Sequence, residues 1–150
     1  MFSRTFVYTF ALAAALTGVA VASQTPRTQA PKPSAVMTAM QGSWLMTSTN
    51  GQDMAGSGME VVVTITDDKY VQTMNGQVEE RGSFKIDETK KPMTLDVTIT
   101  EGEKAGMTEL GVIEVDGKTM RGKLAEPGAT ARPTDFAAAE GFFTFSATKK

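Results

Sequence analysis

The chain of 150 residues contains no cysteine and no histidine. That removes thiol nucleophiles, imidazole bases, disulfides and the usual zinc ligands together. Neither sign of charge dominates: 15 Lys and Arg stand against 17 Asp and Glu, a net charge of −2. No basic patch exists for a nucleic acid to find. Tryptophan occurs once, as Trp44. The one extended apolar run, 6–22, is Ala-rich, interrupted by Tyr8, Thr9 and Thr17, and short for a membrane span.

Arg4 precedes that run, and Ala20-Val21-Ala22 closes it in a small-x-small pattern. This predicts a secretory signal peptide over 1–22, cleaved near Ala22, and a periplasmic or secreted protein with no membrane span after cleavage. No cysteine stands at the cut, which argues against a lipid anchor. Cleavage removes Arg4 and no acid, which takes the charge from −2 to −3. A domain without disulfides in that compartment is held together by its core. Residues 23–33 include Pro26, Pro31 and Pro33 among Gln, Thr and Lys, and read as a disordered linker.

From residue 34 onward the pattern is that of one domain. Ser34 is an N-cap; Val36, Met37 and Met40 share one face of a short helix, and Gly42 ends it. The remainder alternates apolar and polar, most cleanly at Leu95-Asp96-Val97-Thr98-Ile99-Thr100-Glu101, which is the signature of a half-buried antiparallel strand. The first strand runs over 42–48 and is followed by a polar, glycine-rich loop over 52–58. Met59, Val61, Val63 and Ile65 form the dry face of the second, and 70–74 is the third. Val78, Glu80, Gly82, Phe84 and Ile86 share a face of the fourth, and the Leu95 strand is the fifth. The sixth, 107–115, has apolar residues on both sides, so its inner face is ambiguous. Met120, Gly122 and Leu124 share a face of the seventh, and Phe143, Phe145 and Ala147 a face of the eighth. Asn75-Gly76 and Asp116-Gly117 are two-residue hairpin signals. A long connection, 126–141, precedes the last strand.

Eight short strands joined in sequence leave two raw edges, and closure removes them. The fold class expected is therefore all-β: an eight-stranded antiparallel up-and-down barrel with a short N-terminal helix. Its interior, the candidate site for a small hydrophobic ligand, is assigned to Val61, Val63, Glu80, Phe84, Leu95 and Val97 on one side. Glu109, Ile113, Met120, Phe143 and Phe145 complete it. Inward glycines at Gly82, Gly111 and Gly122 would leave room or bend the strands. Glu80 and Glu109 are carboxylates on otherwise apolar faces; each either holds a polar ligand group or sits at a wet strand end.

No catalytic constellation emerges. Glu79 and Glu80 are adjacent in a strand and point to opposite faces, so they cannot flank one bond. The methionines are scattered and read as core filling rather than as ligands for a cuprous ion. No metal and no cofactor is implied. The alternative to a ligand-binding barrel is an envelope interaction module with a filled barrel, binding through the loops 52–58 and 126–141. An enzyme is the weakest reading, because no base–nucleophile pair presents itself.

A short helix followed by Gly42-Ser43-Trp44 at the head of eight strands resembles the lipocalin pattern. More closely, the chain resembles a bacterial lipocalin-like family of uncharacterised function that is abundant in planctomycetes. The matching stretches are Gln41-Gly42-Ser43-Trp44, Gly82-Ser83-Phe84-Lys85-Ile86-Asp87, Thr89-Lys90-Lys91-Pro92, Thr98-Ile99-Thr100-Glu101-Gly102, Asp116-Gly117 and Arg132-Pro133-Thr134-Asp135-Phe136. The resemblance implies a structural motif at Gly42 and Trp44, a secreted or membrane-proximal barrel, and no known reaction. It also implies that a basic residue after the last strand, Lys149 or Lys150, stacks on the Trp44 ring. Gly122 departs from the pattern, which has a larger apolar residue there. Arg132, Pro133, Asp135 and Phe136 are expected to fix the long connection, with Phe136 a candidate plug for one end of the barrel.

Overall fold

The structure, a computed structural model, describes residues 32–150. The signal-peptide assignment and most of the linker lie outside the described residues; Lys32 and Pro33 are exposed and belong to no element. The elements are α1 (Ala35–Met40), β1 (Gly42–Thr49), β2 (Gln52–Asp53), β3 (Val61–Thr66), β4 (Lys69–Met74), β5 (Gln77–Asp87), β6 (Met93–Glu101), β7 (Thr108–Asp116), β8 (Thr119–Ala125) and β9 (Phe142–Lys149). Every neighbouring pair is antiparallel, and β9 pairs back onto β1 to close an eight-stranded up-and-down barrel from β1 and β3 to β9.

The local chemistry explains the entry. The Ser34 hydroxyl accepts from the Met37 amide at 3.0 Å, a side-chain N-cap, and itself donates to Glu88 in the β5–β6 turn. Gly42 then takes φ +102°, a conformation that costs glycine least, and turns the chain into β1. Met40 is buried, so α1 caps one end of the barrel. Gln41 ties that end further, exchanging two hydrogen bonds with the Asp67 backbone at 2.7 and 3.1 Å.

Three details differ from the sequence expectation. The segment after β1 is not all loop. Asn50 and Gly51 both adopt positive φ, the geometry of a tight hairpin, and fold Gln52–Asp53 back onto Thr49 and Ser48 as a two-residue strand. Met59 stands outside β3 and is exposed, because the Asn75 side chain takes the Glu60 amide and starts the pairing only at Val61. Val78 does not share a face with Glu80. A bulge between Gln72 and Thr73 pairs Gln72 with Glu80 but Thr73 with Val78, so one extra residue flips the face and leaves Val78 half exposed.

The ambiguous strand is also resolved. In β7, Gly111 and Ile113 pair with Leu95 and Gly122 and face inward. Val112 and its neighbour Lys123 face outward, yet they are 2% and 4% exposed. They are covered by the connection 126–141. Arg132 on it donates to the Leu95 carbonyl (3.1 Å), the Gly111 carbonyl (2.8 Å) and the Asp96 carboxylate, which fastens the connection across β6 and β7. Asp135 accepts from the Lys123 ammonium at 3.0 Å, and that ammonium also lies 4.8 Å from the Phe142 ring centre. Pro133 is buried beneath. Phe136 is not a plug. It lies on the outer wall with the Arg121 guanidinium 4.4 Å over its ring, because the connection runs along the barrel side instead of across its mouth.

Candidate functional site

The closed end is built around Trp44. Its ring is fully buried, and its indole N–H donates to the Met40 carbonyl at 2.7 Å, which satisfies one of the helix's free carbonyls. The Lys149 ammonium sits 5.4 Å from the ring centre and donates to the Ala39 carbonyl at 2.9 Å. Lys149 therefore occupies the cation position, while Lys150 reaches outward to Glu60.

The other end is open. The turns at 50–51, 75–76 and 102–107 lie there, since the up-and-down order places the turns 67–68, 88–92 and 117–118 at the helix end. Above Met40 a cup of about 100 Å³ reaches solvent through this mouth. Of the interior residues expected, Val63, Glu80, Phe84, Leu95, Val97, Glu109, Ile113, Met120, Phe143 and Phe145 line it. Val61 is the exception. It is buried in the core opposite Met74 and does not reach the cup. Met40, Met46, Ile65, Tyr70, Gln72 and Leu124 line it as well. Tyr70 and Gln72 are the polar residues that sequence reading missed. Their signal was available, because two alternate positions of β4 stand opposite Ile65 and Val63.

The inward glycines create no vacancy. A Cβ on Gly82 would stand 2.6 Å from the Tyr70 ring, on Gly111 2.5 Å from Leu124, and on Gly122 2.3 Å from the Phe145 ring. Each glycine is the direct register partner of the side chain that covers it: Tyr70 for Gly82, Leu124 for Gly111, Phe145 for Gly122. Large residues thus lie flat across glycines on the next strand, and the departure at Gly122 is filled by a ring from β9. This is why the cup is small.

The charged side chains that line the cup, Glu80 and Glu109, are both acidic. Tyr70 donates its hydroxyl to Glu80 at 2.6 Å. Burial, with that hydrogen bond and the charges of Glu80 and Glu109, holds the phenol well above its ordinary range, so it remains a donor. Burial first, and the charge of Glu80 second, push the Glu109 carboxyl up from 4.5 to about 7. Among the described residues no three metal-capable acids converge and no helix is long and apolar enough to cross a membrane. Comparison of the chain with protein-family models, with curated proteins and with solved structures finds no match.

Proposed function

We propose that this protein is a secreted or periplasmic lipocalin-like barrel that binds a small apolar or amphipathic molecule, and that it is not a catalyst. One observation carries the reading: an apolar cup, open at one end and closed at the other by a helix and a buried tryptophan, with its few polar groups gathered on one side. A mostly apolar concavity with a small number of placed polar groups is the usual form of a ligand site. The apolar leader and the small-x-small pattern at Ala20-Val21-Ala22 support the compartment. Size restricts the ligand. At about 100 Å³ the cup takes a short alkyl chain rather than a fatty acid.

The same small volume favours the second reading, a filled barrel that acts through its loops. It lies well under the ~300 Å³ at which drug-sized sites begin.

The test uses protein labelled at the methionine methyl carbons and titrated with n-pentanol. Met40, Met46 and Met120 line the cup, while Met59 and Met107 are exposed elsewhere. Saturable shifts confined to the first three, and abolished by Val63→Phe, are expected. No saturable shift, or equal shifts at Met59 and Met107, would leave the filled barrel as the better reading.

A further inference from the structure

The apolar wall and the acidic side of the cup are separable, and together they specify a ligand class. Glu80 is the fourth residue of β5 after the turn at 75–76, and Glu109 is the second residue of β7 after the turn at 102–107. Both carboxylates therefore stand near the mouth. Met40, on the helix, and Ile113 and Met120, toward the helix end of their strands, form the floor. No Lys or Arg lines the cup. Among the described residues the basic side chains pair with Glu60, Asp96, Glu101, Glu103, Glu114 and Asp135, and with neither Glu80 nor Glu109. Glu80 has one hydrogen-bond donor, Tyr70, and Glu109 accepts none from the described residues. Two carboxylates close enough to feel each other thus share an apolar concavity without a counter-ion. In such surroundings Glu109, buried and beside the Glu80 charge, resists ionisation, and an outside cation would relieve it.

We propose that the cup selects a small primary ammonium bearing a short apolar tail, with the tail on Met40, Ile113 and Met120 and the ammonium at the mouth beside Glu80 and Glu109. This deepens the small-molecule reading above and rests on it. An ammonium offers three donors and no acceptor, which matches a wall of carboxylate oxygens. Gln72 adds a neutral polar contact. The groups facing the ammonium that titrate are Tyr70 from β4, Glu80 from β5 and Glu109 from β7; the cup residues of the other strands and of the helix carry no charge. Binding is therefore tied to acidity. A bound cation draws the Glu109 carboxyl toward its ionised form, and acid returns the proton and weakens the site.

Three probes of one length separate the outcomes: n-pentylammonium, n-pentanol and n-pentanoate, each titrated against the labelled methionine methyls at pH 8 and at pH 5. The amine stays charged at both. At pH 8 the ammonium is expected to saturate Met40, Met46 and Met120 at a concentration at least tenfold below that of the alcohol, with pentanoate weakest. The preference should shrink severalfold at pH 5 and vanish in the Glu80→Gln/Glu109→Gln variant. Alcohol binding as tight as ammonium binding in the wild type, or a preference that survives in the double variant, would overturn the inference while leaving the barrel a ligand binder. If no probe moves the cup methyls, the small-molecule reading falls and the inference with it. The wild-type series and its pH dependence stand without the variant, so a double variant that failed to fold would not spare the proposal.

Discussion

Replacing Glu109 with Gln isolates the one carboxyl that the fold disfavours in its charged form. In the folded protein its pKa stands at about 7, against 4.5 for a free side chain. Between these values the native state holds a proton that the unfolded chain releases, so rising pH favours unfolding throughout the window. Well below pH 4.5 both states are protonated and nothing is lost; above about pH 7 the loss is complete. At about 1.36 kcal/mol per tenfold change the ceiling is about 3.4 kcal/mol. Glu109 lies near an open mouth where water screens it, so about half of that, 1.5–2 kcal/mol, is the expected effect. Glu109→Gln has no proton to lose. Relative to wild type it should gain only a few tenths of a kcal/mol at pH 4.5, rising to about 1.5–2 kcal/mol in favour of the variant at pH 8. Asp87 and Asp135 are both held below the usual range, Asp87 by hydrogen bonds from Thr89 and Asp135 by its bonds to Lys123 and the Ala137 amide. Their contributions are lost as pH falls, the opposite sign, but both proteins share them and they cancel in the difference. Urea unfolding followed by Trp44 emission at intervals between pH 4.5 and 8.5 measures it. A difference that stays flat with pH would refute the placement of Glu109 in a desolvated, acidic cup. Glu80→Gln should move the wild-type window downward, since it removes the neighbouring charge and leaves burial alone.

Further outcomes follow from contacts elsewhere. Gly82→Ala should cost about 3 kcal/mol or more and exceed Gly122→Ala at about 1–3 kcal/mol. The new Cβ at Gly82 meets the Thr98 carbonyl oxygen at 2.3 Å, a backbone atom, whereas at Gly122 it meets the outer edge of the Phe145 ring; urea midpoints rank the two. Trp44→Ala should cost about 3–5 kcal/mol, and native emission of this buried indole should be blue-shifted and move red in one cooperative step; red native emission would mean that the barrel is not closed there. Lys149→Met should cost about 0.5–2 kcal/mol through the lost contact over the Trp44 ring, while Lys150→Met should cost less. Arg132→Met removes three hydrogen bonds from a charged donor. It should cost about 2–3 kcal/mol and raise amide hydrogen exchange at Val112 and Lys123, with unchanged exchange there arguing that the connection is held by other contacts.

The strands, their antiparallel order and the closure were legible in the sequence because alternation is a local property. A pleated backbone sends successive side chains to opposite faces, so a half-buried strand writes its burial into every second residue, as Leu95, Val97 and Ile99 do. The tight turns are equally local. Asn50-Gly51 and Asn75-Gly76 adopt the positive φ that a two-residue hairpin requires, and few other residues reach it without cost. Trp44 too was legible as the lone indole at the head of the first strand, close to the helix end that it would cover.

Tertiary structure alone decided which faces meet. A single bulge at Gln72–Thr73 turned Val78 outward, although the period of two had placed it inside. The apolar character of both faces of β7 had no local resolution: Val112 is buried only because a connection fastened by Arg132, more than a strand's length later in the chain, lies over it. Whether the inward glycines leave room or bend the strands stays open in the sequence; the register sets Tyr70, Leu124 and Phe145 across them. The acidic side of the cup belongs to the same class. Glu80 and Glu109 lie on strands that are not neighbours, and what couples them is the curvature that brings β5 and β7 around one small space. Period and turn type depend on a few bonds along the backbone; convergence across a barrel depends on register, bulges and closure together, and these exist only once the whole sheet has formed.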